Sequence, residues 1–117
     1  MMQLLDHVEY RLITGGEDLE SIYRLRYKSY LRSGMCGPIA SGMFEDRWDN
    51  LPNSYRFGVY CYGELVSTLR FHYISSEQPY SPSVDAYPEV LLPRLARGET
   101  FIDGTRFATD PDSAPAP

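Results

Sequence analysis

The chain opens with an alternation of apolar and polar residues. In HVEYRLI (7–13), Val8, Tyr10 and Leu12 alternate with charged residues, a pattern that predicts a strand with one buried face. The threonine and two glycines that follow break the alternation and predict the end of the strand.

A helical period replaces the alternation from Glu17 onward. Apolar positions then recur every three or four residues along one stripe, which predicts a helix that ends near Gly34. Acidic residues open this segment and basic residues follow, an order that the helix dipole favours. The stripe consists of Leu19, Ile22, Tyr23, Arg26 and Tyr30.

The middle of the chain contains the clearest local signal. Two alternating runs in YRFGVYCYGELVSTLRFHYI (55–74) flank a tight turn near Tyr62-Gly63-Glu64, which predicts a β-hairpin. The preceding stretch, 35–54, is rich in Gly, Pro, Ser and Asn and is long for a connection within a domain. Loops of this length are typically functional or mobile.

Four further segments complete the pattern. The Pro- and Ser-rich stretch 75–85 predicts a surface loop, and AYPEVLLPRLARGE (86–99) predicts a short helix whose length Pro93 limits. A strand is predicted from Phe101 to about Thr109. The Pro-rich segment 111–117 has a composition typical of disorder.

The order of these elements predicts an α+β fold. A strand, a helix, a long loop, a hairpin, a short helix and a last strand are expected to form a mostly antiparallel sheet of about four strands covered by helices. The length of 117 residues suffices for one modest core, which we assign to residues 1–110, with the tail 111–117 outside it.

Composition narrows the possible partners and location. The formal net charge of -5 argues against non-specific binding to nucleic acid or to anionic membranes, and no stretch is long enough to span a bilayer. Two thiols in unrelated contexts, Cys36 and Cys61, favour a reduced, cytoplasmic protein. Together with His7 and His72 they have no metal-site spacing, so we expect no metal.

Four charged residues occupy positions that should be buried. Arg26 shares the apolar stripe of the helix, Arg70 lies in the middle of a hairpin strand, and Asp103 and Arg106 lie within the last strand. An unpaired charge in an apolar interior is very costly, so each of the four residues requires a partner.

The motif FEDRWDN offers partners for the arginines. If residues 45–50 form a helical turn, Asp46 and Asp49 lie on one face and bind Arg26 and Arg70 bidentately. The alternative is that these residues form surface ion pairs of little energetic value. Both alternatives are compatible with the sequence.

Asp103 and Arg106 are three residues apart, and residues at that spacing point to opposite faces of a regular strand. A β-bulge would bring them to the same side, and Gly104 between them permits one. We therefore predict an irregularity at Gly104–Thr105, with an ordinary strand as the alternative.

Four motifs occur in an order that resembles a known group of acyltransferases. The sequences LRYKSY, FEDRWDN, LRF and DGTRFATD resemble the N-terminal part of the acyl-homoserine-lactone (autoinducer) synthases and N-acyl amino acid synthases, within the GNAT acyltransferase fold. The resemblance covers roughly residues 10–110. It implies a GNAT-like domain whose C-terminal half is absent from this chain.

The missing tryptophan and the ten tyrosines of the chain favour the N-acyl amino acid synthase branch over the autoinducer synthases. The sequence GMCG (34–37) stands where autoinducer synthases have a tryptophan, and Asp103 stands where they have glutamate. The resemblance implies N-acyl transfer from an acyl-carrier-protein or coenzyme A thioester to the amine of an amino acid or a similar acceptor, without a tightly bound cofactor.

The resemblance also implies roles for individual residues. Asp103 is the candidate general base, acting directly or through water. The residues expected to bind substrate or organise its pocket are Arg26, Tyr30, Asp46, Asp49, Arg70, Arg106 and Phe107.

Two alternatives stay open. A non-catalytic half-domain would complete its sheet by pairing the open 101–109 edge with another chain, for example in a homodimer. A general GNAT enzyme would use acetyl-coenzyme A and a small-molecule acceptor.

Overall fold

The computed structural model describes residues 7–113, which adopt the α+β fold that the element order predicts. Four strands form one antiparallel sheet in the order β1-β2-β3-β4: β1 (Val8–Ile13), β2 (Ser54–Cys61), β3 (Glu64–Ile74) and β4 (Phe101–Thr109). Three helices accompany the sheet: α1 (Gly16–Ser33), α2 (Pro82–Ala86) and α3 (Pro88–Ala96).

The long helix and the hairpin confirm two predictions from sequence. Helix α1 ends where Gly34 takes a left-handed conformation (φ 80°), and the Gly34 N–H donates to the carbonyl of Leu31. In the hairpin, Tyr62 (φ 51°) and Gly63 (φ 80°) are both left-handed, as a type I′ turn requires.

Helix α2 begins within the stretch 75–85, which the sequence predicted as a loop, and ends one residue beyond it. The Oγ of Ser81 accepts a hydrogen bond from the N–H of Val84, and Pro82 occupies the first turn. This serine–proline pair is a typical helix start that the composition of the stretch concealed. Helix α3 continues three residues past Pro93 and ends at Ala96.

All three helices pack on the same side of the sheet, which we call the inner face. Helix α1 buries Ile22 and Tyr23 against Tyr60 of β2, and α3 buries Leu95 against Ile74 of β3. The charged and polar side chains of β3 and β4 that concern the candidate site point to this inner face.

The opposite side of the sheet, the outer face, carries large apolar residues. The prediction that Val8, Tyr10 and Leu12 face a core is wrong within the described residues: Tyr10 is 75% exposed and Leu12 is 48% exposed. The outer face comprises Tyr10, Leu12, Tyr55, Phe57, Leu69, Phe71, Tyr73, Ile102 and Phe107.

Three residues of the tail that the sequence predicts to be disordered are ordered in the structure. Residues 111–113 form a turn, and Asp112 forms ion pairs with Lys28 (2.8 Å) and Arg32 (2.8 Å) of α1. The remainder of that prediction, residues 114–117, lies outside the described residues. Between residues 7 and 113, the structure has no helix that is long and apolar enough to cross a bilayer.

Candidate functional site

Arg26 and Asp49 form a bidentate ion pair inside the protein. The Nη1 and Nη2 atoms of Arg26 donate to the two carboxylate oxygens of Asp49 at 2.9 and 3.0 Å, and both side chains are fully buried. Two parallel hydrogen bonds between charged groups fix orientation as well as distance. The expectation that FEDRWDN supplies a partner for Arg26 is therefore confirmed.

Arg70 joins the same pair to a second carboxylate. Its Nη1 lies 2.5 Å from Oδ1 of Asp46 and 3.2 Å from Oδ1 of Asp49, and its side chain is only 1% exposed. The two aspartates belong to a hydrogen-bonded turn in which the N–H of Asp46 donates to Oδ2 of Asp49 at 2.9 Å. This turn replaces the predicted helical turn and still places both carboxylates on one side.

Arg106 reaches the cluster through a β-bulge. Pairing between β3 and β4 is regular up to Arg70 opposite Thr105 and resumes at Thr68 opposite Ala108, which leaves one extra residue on β4. The bulge therefore lies at Arg106–Phe107, and the predicted position, Gly104–Thr105, is wrong.

The backbone conformation of Arg106 explains why the bulge lies at Arg106–Phe107. Arg106 itself adopts the left-handed conformation (φ 54°), which is rare for a residue other than glycine. Its Nε donates to Oδ2 of Asp46 at 2.9 Å, and its guanidinium lies 4.8 Å from the centre of the Phe44 ring. These contacts offset the backbone strain, which typically amounts to about 1–3 kcal/mol.

We call Arg26, Asp46, Asp49, Arg70 and Arg106 the Arg–Asp network. Three guanidinium groups share two carboxylates, so the network carries one unbalanced positive charge. Arg106 has the most exposed of the five side chains, at 32%, so it is the guanidinium group of the network that a ligand can reach most easily. A polar cavity of about 180 Å³ adjoins it and is lined by Asp46, Trp48, Arg70, Pro82, Thr105 and Arg106.

Asp103 is placed near this cavity but outside the network. Its Oδ2 accepts a hydrogen bond from the N–H of Ser83 at 2.9 Å, at the start of α2, and its strand position lies opposite His72. The bulge puts Asp103 and Arg106 on the same inner face, as predicted. Asp103 and Arg106 have different hydrogen-bond partners, the N–H of Ser83 and the carboxylate of Asp46.

The two aromatic residues expected in the site have different positions. Tyr30 is buried, and its hydroxyl donates to the backbone carbonyl of Phe107 at 3.3 Å, beside the bulge. The side chain of Phe107 lies on the outer face and is 66% exposed, so it does not line the cavity. The bulge reverses the direction of this side chain relative to Arg106.

Three further residues of the site were not identified from the sequence. Trp48 forms a wall of the cavity, and Thr105 accepts a hydrogen bond from Nε of Arg70 at 3.1 Å. His72 is fully buried, and because a carbonyl can only accept, its Nε2 donates to the carbonyl of Trp48 at 2.9 Å. Burial lowers the pKa of His72, which keeps the ring neutral. Of these three residues, only His72 could have been found from the sequence. It lies two residues after Arg70, and residues at that spacing share a face of a strand.

Apolar depressions adjoin the polar cavity. Two depressions of about 290 Å³ each share Trp48 and Tyr80 in their walls, and one of them extends to Val84 and Leu92 of the short helices. Trp48 therefore separates a charged cavity from an apolar surface.

Asp46 should make the stability of the fold depend on acidity. Burial alone would raise its pKa, but hydrogen bonds from Arg70 and Arg106 outweigh burial and lower the pKa from 3.8 to about 2. Because the folded-state value is the lower one, this stabilisation is present above about pH 4 and is lost as the pH falls toward 2.

We expect the wild-type protein to lose about 1 kcal/mol more unfolding free energy than Asp46→Asn between pH 5 and pH 3. Urea denaturation of both proteins at pH 5, 4 and 3 measures the difference. Identical slopes of unfolding free energy against pH would show that the arginines do not stabilise the Asp46 carboxylate.

The chain is similar to N-acyl amino acid synthases. The family model described as N-acyl amino acid synthase FeeM matches residues 21–116. The solved structure of FeeM, an N-acyl amino acid synthase from uncultured soil microbes, superimposes with a TM-score of 0.69 at 17% sequence identity. The match covers 92% of this chain and 56% of the FeeM chain, so this chain spans about half the length of that relative. None of the curated proteins matches the sequence.

Proposed function

Because the chain belongs to the N-acyl amino acid synthase FeeM family, we propose that it transfers an acyl group to the amine of an amino acid. The donor in this proposal is a thioester of acyl-carrier protein or of coenzyme A. The polar cavity beside Arg106 binds the acceptor. The charge and the shape of this cavity are the features that support the assignment.

The unbalanced positive charge of the Arg–Asp network is the observation that carries the proposal. Asp46 already occupies Nε of Arg106, and 32% of the Arg106 side chain is exposed at the cavity. A guanidinium in a partly dehydrated cavity favours an anion, and its planar donors fit a carboxylate. An amino acid acceptor carries such a carboxylate next to the amine that is acylated.

The arrangement around Trp48 matches the two ends of an N-acyl amino acid. The product of the proposed reaction has a carboxylate at one end and an apolar acyl chain at the other. The site has a cationic cavity on one side of Trp48 and apolar depressions on the other, bounded by Tyr80 and Leu92. We place the carboxylate beside Arg106 and the acyl chain against Trp48 and Tyr80.

Asp103 is our candidate for the general base. An amine must lose a proton before it attacks a thioester, and a carboxylate near the reacting carbon accepts that proton directly or through water. Asp103 shares the inner face of β4 with Thr105, a residue that lines the cavity. Its Oδ2 accepts a hydrogen bond from the N–H of Ser83, and this bond fixes the orientation of the carboxylate.

The single tryptophan of the chain provides a direct test of the cavity. We expect the fluorescence of Trp48 to change on titration with N-lauroyl-glycine. We also expect Arg106→Gln to weaken this binding about 10- to 100-fold, because a hydrogen bond to a charged group contributes about 1.5–3 kcal/mol.

Two matched controls separate carboxylate recognition from adsorption of the acyl chain. The methyl ester of N-lauroyl-glycine lacks the charge and should bind the wild-type protein and Arg106→Gln equally. Arg47→Gln removes an exposed guanidinium that lies over the Trp48 ring but pairs with Asp85 outside the polar cavity, so it should retain carboxylate preference. Equal binding of acid and ester by the wild-type protein would contradict the assigned acceptor site.

A further inference from the structure

We propose that two buried side chains, His72 and Asn53, are positioning residues that hold Trp48 and Tyr80 at a fixed separation and thereby determine how tightly the site binds an acyl chain. Neither side chain is among the residues that line the polar cavity or the two apolar depressions, so each acts through the backbone of a wall residue. The inference rests on the proposed function for the identity of the ligand, an N-acyl amino acid.

His72 fixes the position of Trp48. The His72 side chain is fully buried, and its Nε2–H donates to the Trp48 carbonyl at 2.9 Å. The two rings also meet edge to face, with centroids 6.4 Å apart and planes at 83°. One hydrogen bond to the backbone and one contact with the ring therefore restrain both the loop 45–50 and the side chain that projects from it.

Asn53 fixes the backbone of Tyr80. Its side chain is fully buried, and its Nδ2 donates to the Tyr80 carbonyl at 2.8 Å and to the Tyr73 carbonyl at 3.0 Å. These bonds join the stretch that carries Tyr80 to the end of β3. The Tyr80 side chain is 48% exposed, so its position depends on this backbone restraint more than on packing.

His72 and Asn53 occupy neighbouring positions of two paired strands. In the register of β2 and β3, His72 lies opposite Ser54, the residue that follows Asn53. The N–H of Tyr73 donates to the Asn53 carbonyl at 3.1 Å, which joins the two backbones at this point. The separation of the two aromatic walls is therefore set by strands of the sheet, which position a site more precisely than loops do.

The polar character of both positions is unfavourable for stability alone. Oδ1 of Asn53 and Nδ1 of His72 are buried and have no hydrogen-bond partner among the described residues. An unpaired buried acceptor costs free energy, which the donor on the same side chain must offset. Each of these donors binds the carbonyl of an aromatic wall residue, so the polar groups serve the placement of the walls.

Fixed walls increase the affinity gained from each methylene of the acyl chain. Full burial of a methylene corresponds to an improvement in affinity of about fourfold. An aromatic wall that is free to move covers the chain less completely and gives a smaller gain. We therefore expect the wild-type protein to bind N-lauroyl-glycine at least about tenfold more tightly than N-octanoyl-glycine, which has four methylenes fewer.

Two measurements test the roles of His72 and Asn53. In the ligand-free protein, acrylamide quenching of the single tryptophan should rise in His72→Leu, and its emission should move to longer wavelengths, because the wall is released. In titrations, the affinity ratio of N-lauroyl-glycine to N-octanoyl-glycine should fall at least about threefold in His72→Leu and in Asn53→Leu.

Two amide variants of His72 separate the hydrogen bond from the mere presence of a polar side chain. The amide nitrogen of glutamine matches the reach of Nε2, whereas that of asparagine falls short of the Trp48 carbonyl. His72→Gln should therefore restore the quenching and the chain-length ratio toward the wild-type values. His72→Asn should behave like His72→Leu.

Thr68→Val is the matched control for a general loss of stability. Thr68 is fully buried on the same face of β3, and its Oγ1 donates to the Phe57 carbonyl at 2.8 Å. Valine removes this buried hydrogen bond with little change of volume, and the bond involves neither aromatic wall. We expect wild-type quenching and a wild-type chain-length ratio in Thr68→Val.

Three results would overturn the proposal: unchanged tryptophan quenching in His72→Leu, equal chain-length ratios in the wild-type protein and both leucine variants, or equal behaviour of His72→Gln and His72→Asn. The failure of the proposed function has a different signature. Equal binding of N-lauroyl-glycine and its methyl ester by the wild-type protein would contradict the acceptor site, while the quenching of the ligand-free variants would still report whether His72 holds Trp48.

Discussion

Replacing Asp49 with asparagine is expected to lower the free energy of unfolding by about 3–5 kcal/mol. Asp49 is fully buried, binds Arg26 through two hydrogen bonds, and lies 3.2 Å from the guanidinium of Arg70. Asparagine removes the negative charge and directs an amide N–H group toward a guanidinium. Two buried cations are then left with only the partly exposed Asp46 carboxylate as counter-ion.

The effect is a large fraction of the stability of an ordinary domain, about 5–15 kcal/mol. Urea denaturation followed by circular dichroism measures it, with the slope of unfolding free energy against urea as the check for an intact native state. Asp112→Asn is the matched control. It makes the same substitution at a carboxylate that is 57% exposed and paired with Lys28 and Arg32, where solvent screens the ion pairs and we expect a far smaller loss of stability.

A loss below 1 kcal/mol for Asp49→Asn would contradict the buried network. That result would mean that water reaches the guanidinium groups and screens the missing charge. The network would then resemble ordinary surface ion pairs, the alternative that the sequence left open.

The elements with strong local signals were predictable from the sequence. Helix α1 combines a complete apolar stripe with Gly34 in the left-handed region, and the hairpin turn combines alternation with Gly63. Helix α2 was missed because four of its five residues lie within a stretch of loop composition. Only the Ser81–Pro82 pair distinguishes it from a loop.

The core of the site was predictable because buried charge demands a partner. Arg26 and Arg70 occupied positions of apolar periodicity, and FEDRWDN was an available source of carboxylates. The position of the bulge was not predictable in the same way. Glycine tolerates the left-handed conformation most readily, yet Arg106 adopts it here, because its ion pair with Asp46 offsets the strain.

The sequence also gave the wrong environment for the apolar face of β1, because that environment depends on contacts outside the strand. Alternation shows which residues share a face but not what lies against that face. Tyr10 and Leu12 share one face as predicted, but the helices of this chain lie on the other.

The second prediction of large effect concerns Asp103. If Asp103 is the general base, Asp103→Asn should reduce kcat for N-acyl transfer about 100- to 10,000-fold, the usual contribution of such a group. The KM for the acceptor should change little. The reaction is followed as thiol release from a lauroyl thioester of coenzyme A or acyl-carrier protein with an amino acid acceptor, in a preparation that forms N-acyl product.

Asparagine at position 103 also separates catalysis from structure. Its amide oxygen can still accept the hydrogen bond from the N–H of Ser83, so helix α2 keeps its contact and the urea midpoint should stay nearly constant. Asp85→Asn, at an exposed carboxylate of the same helix, is the activity control. Turnover by Asp103→Asn equal to that of Asp85→Asn would eliminate the base role, since the carboxylate would then contribute only a helix contact that asparagine reproduces. A fall in kcat without a fall in stability would instead support proton transfer at this position, because the two side chains have nearly the same shape and only the carboxylate can take up a proton.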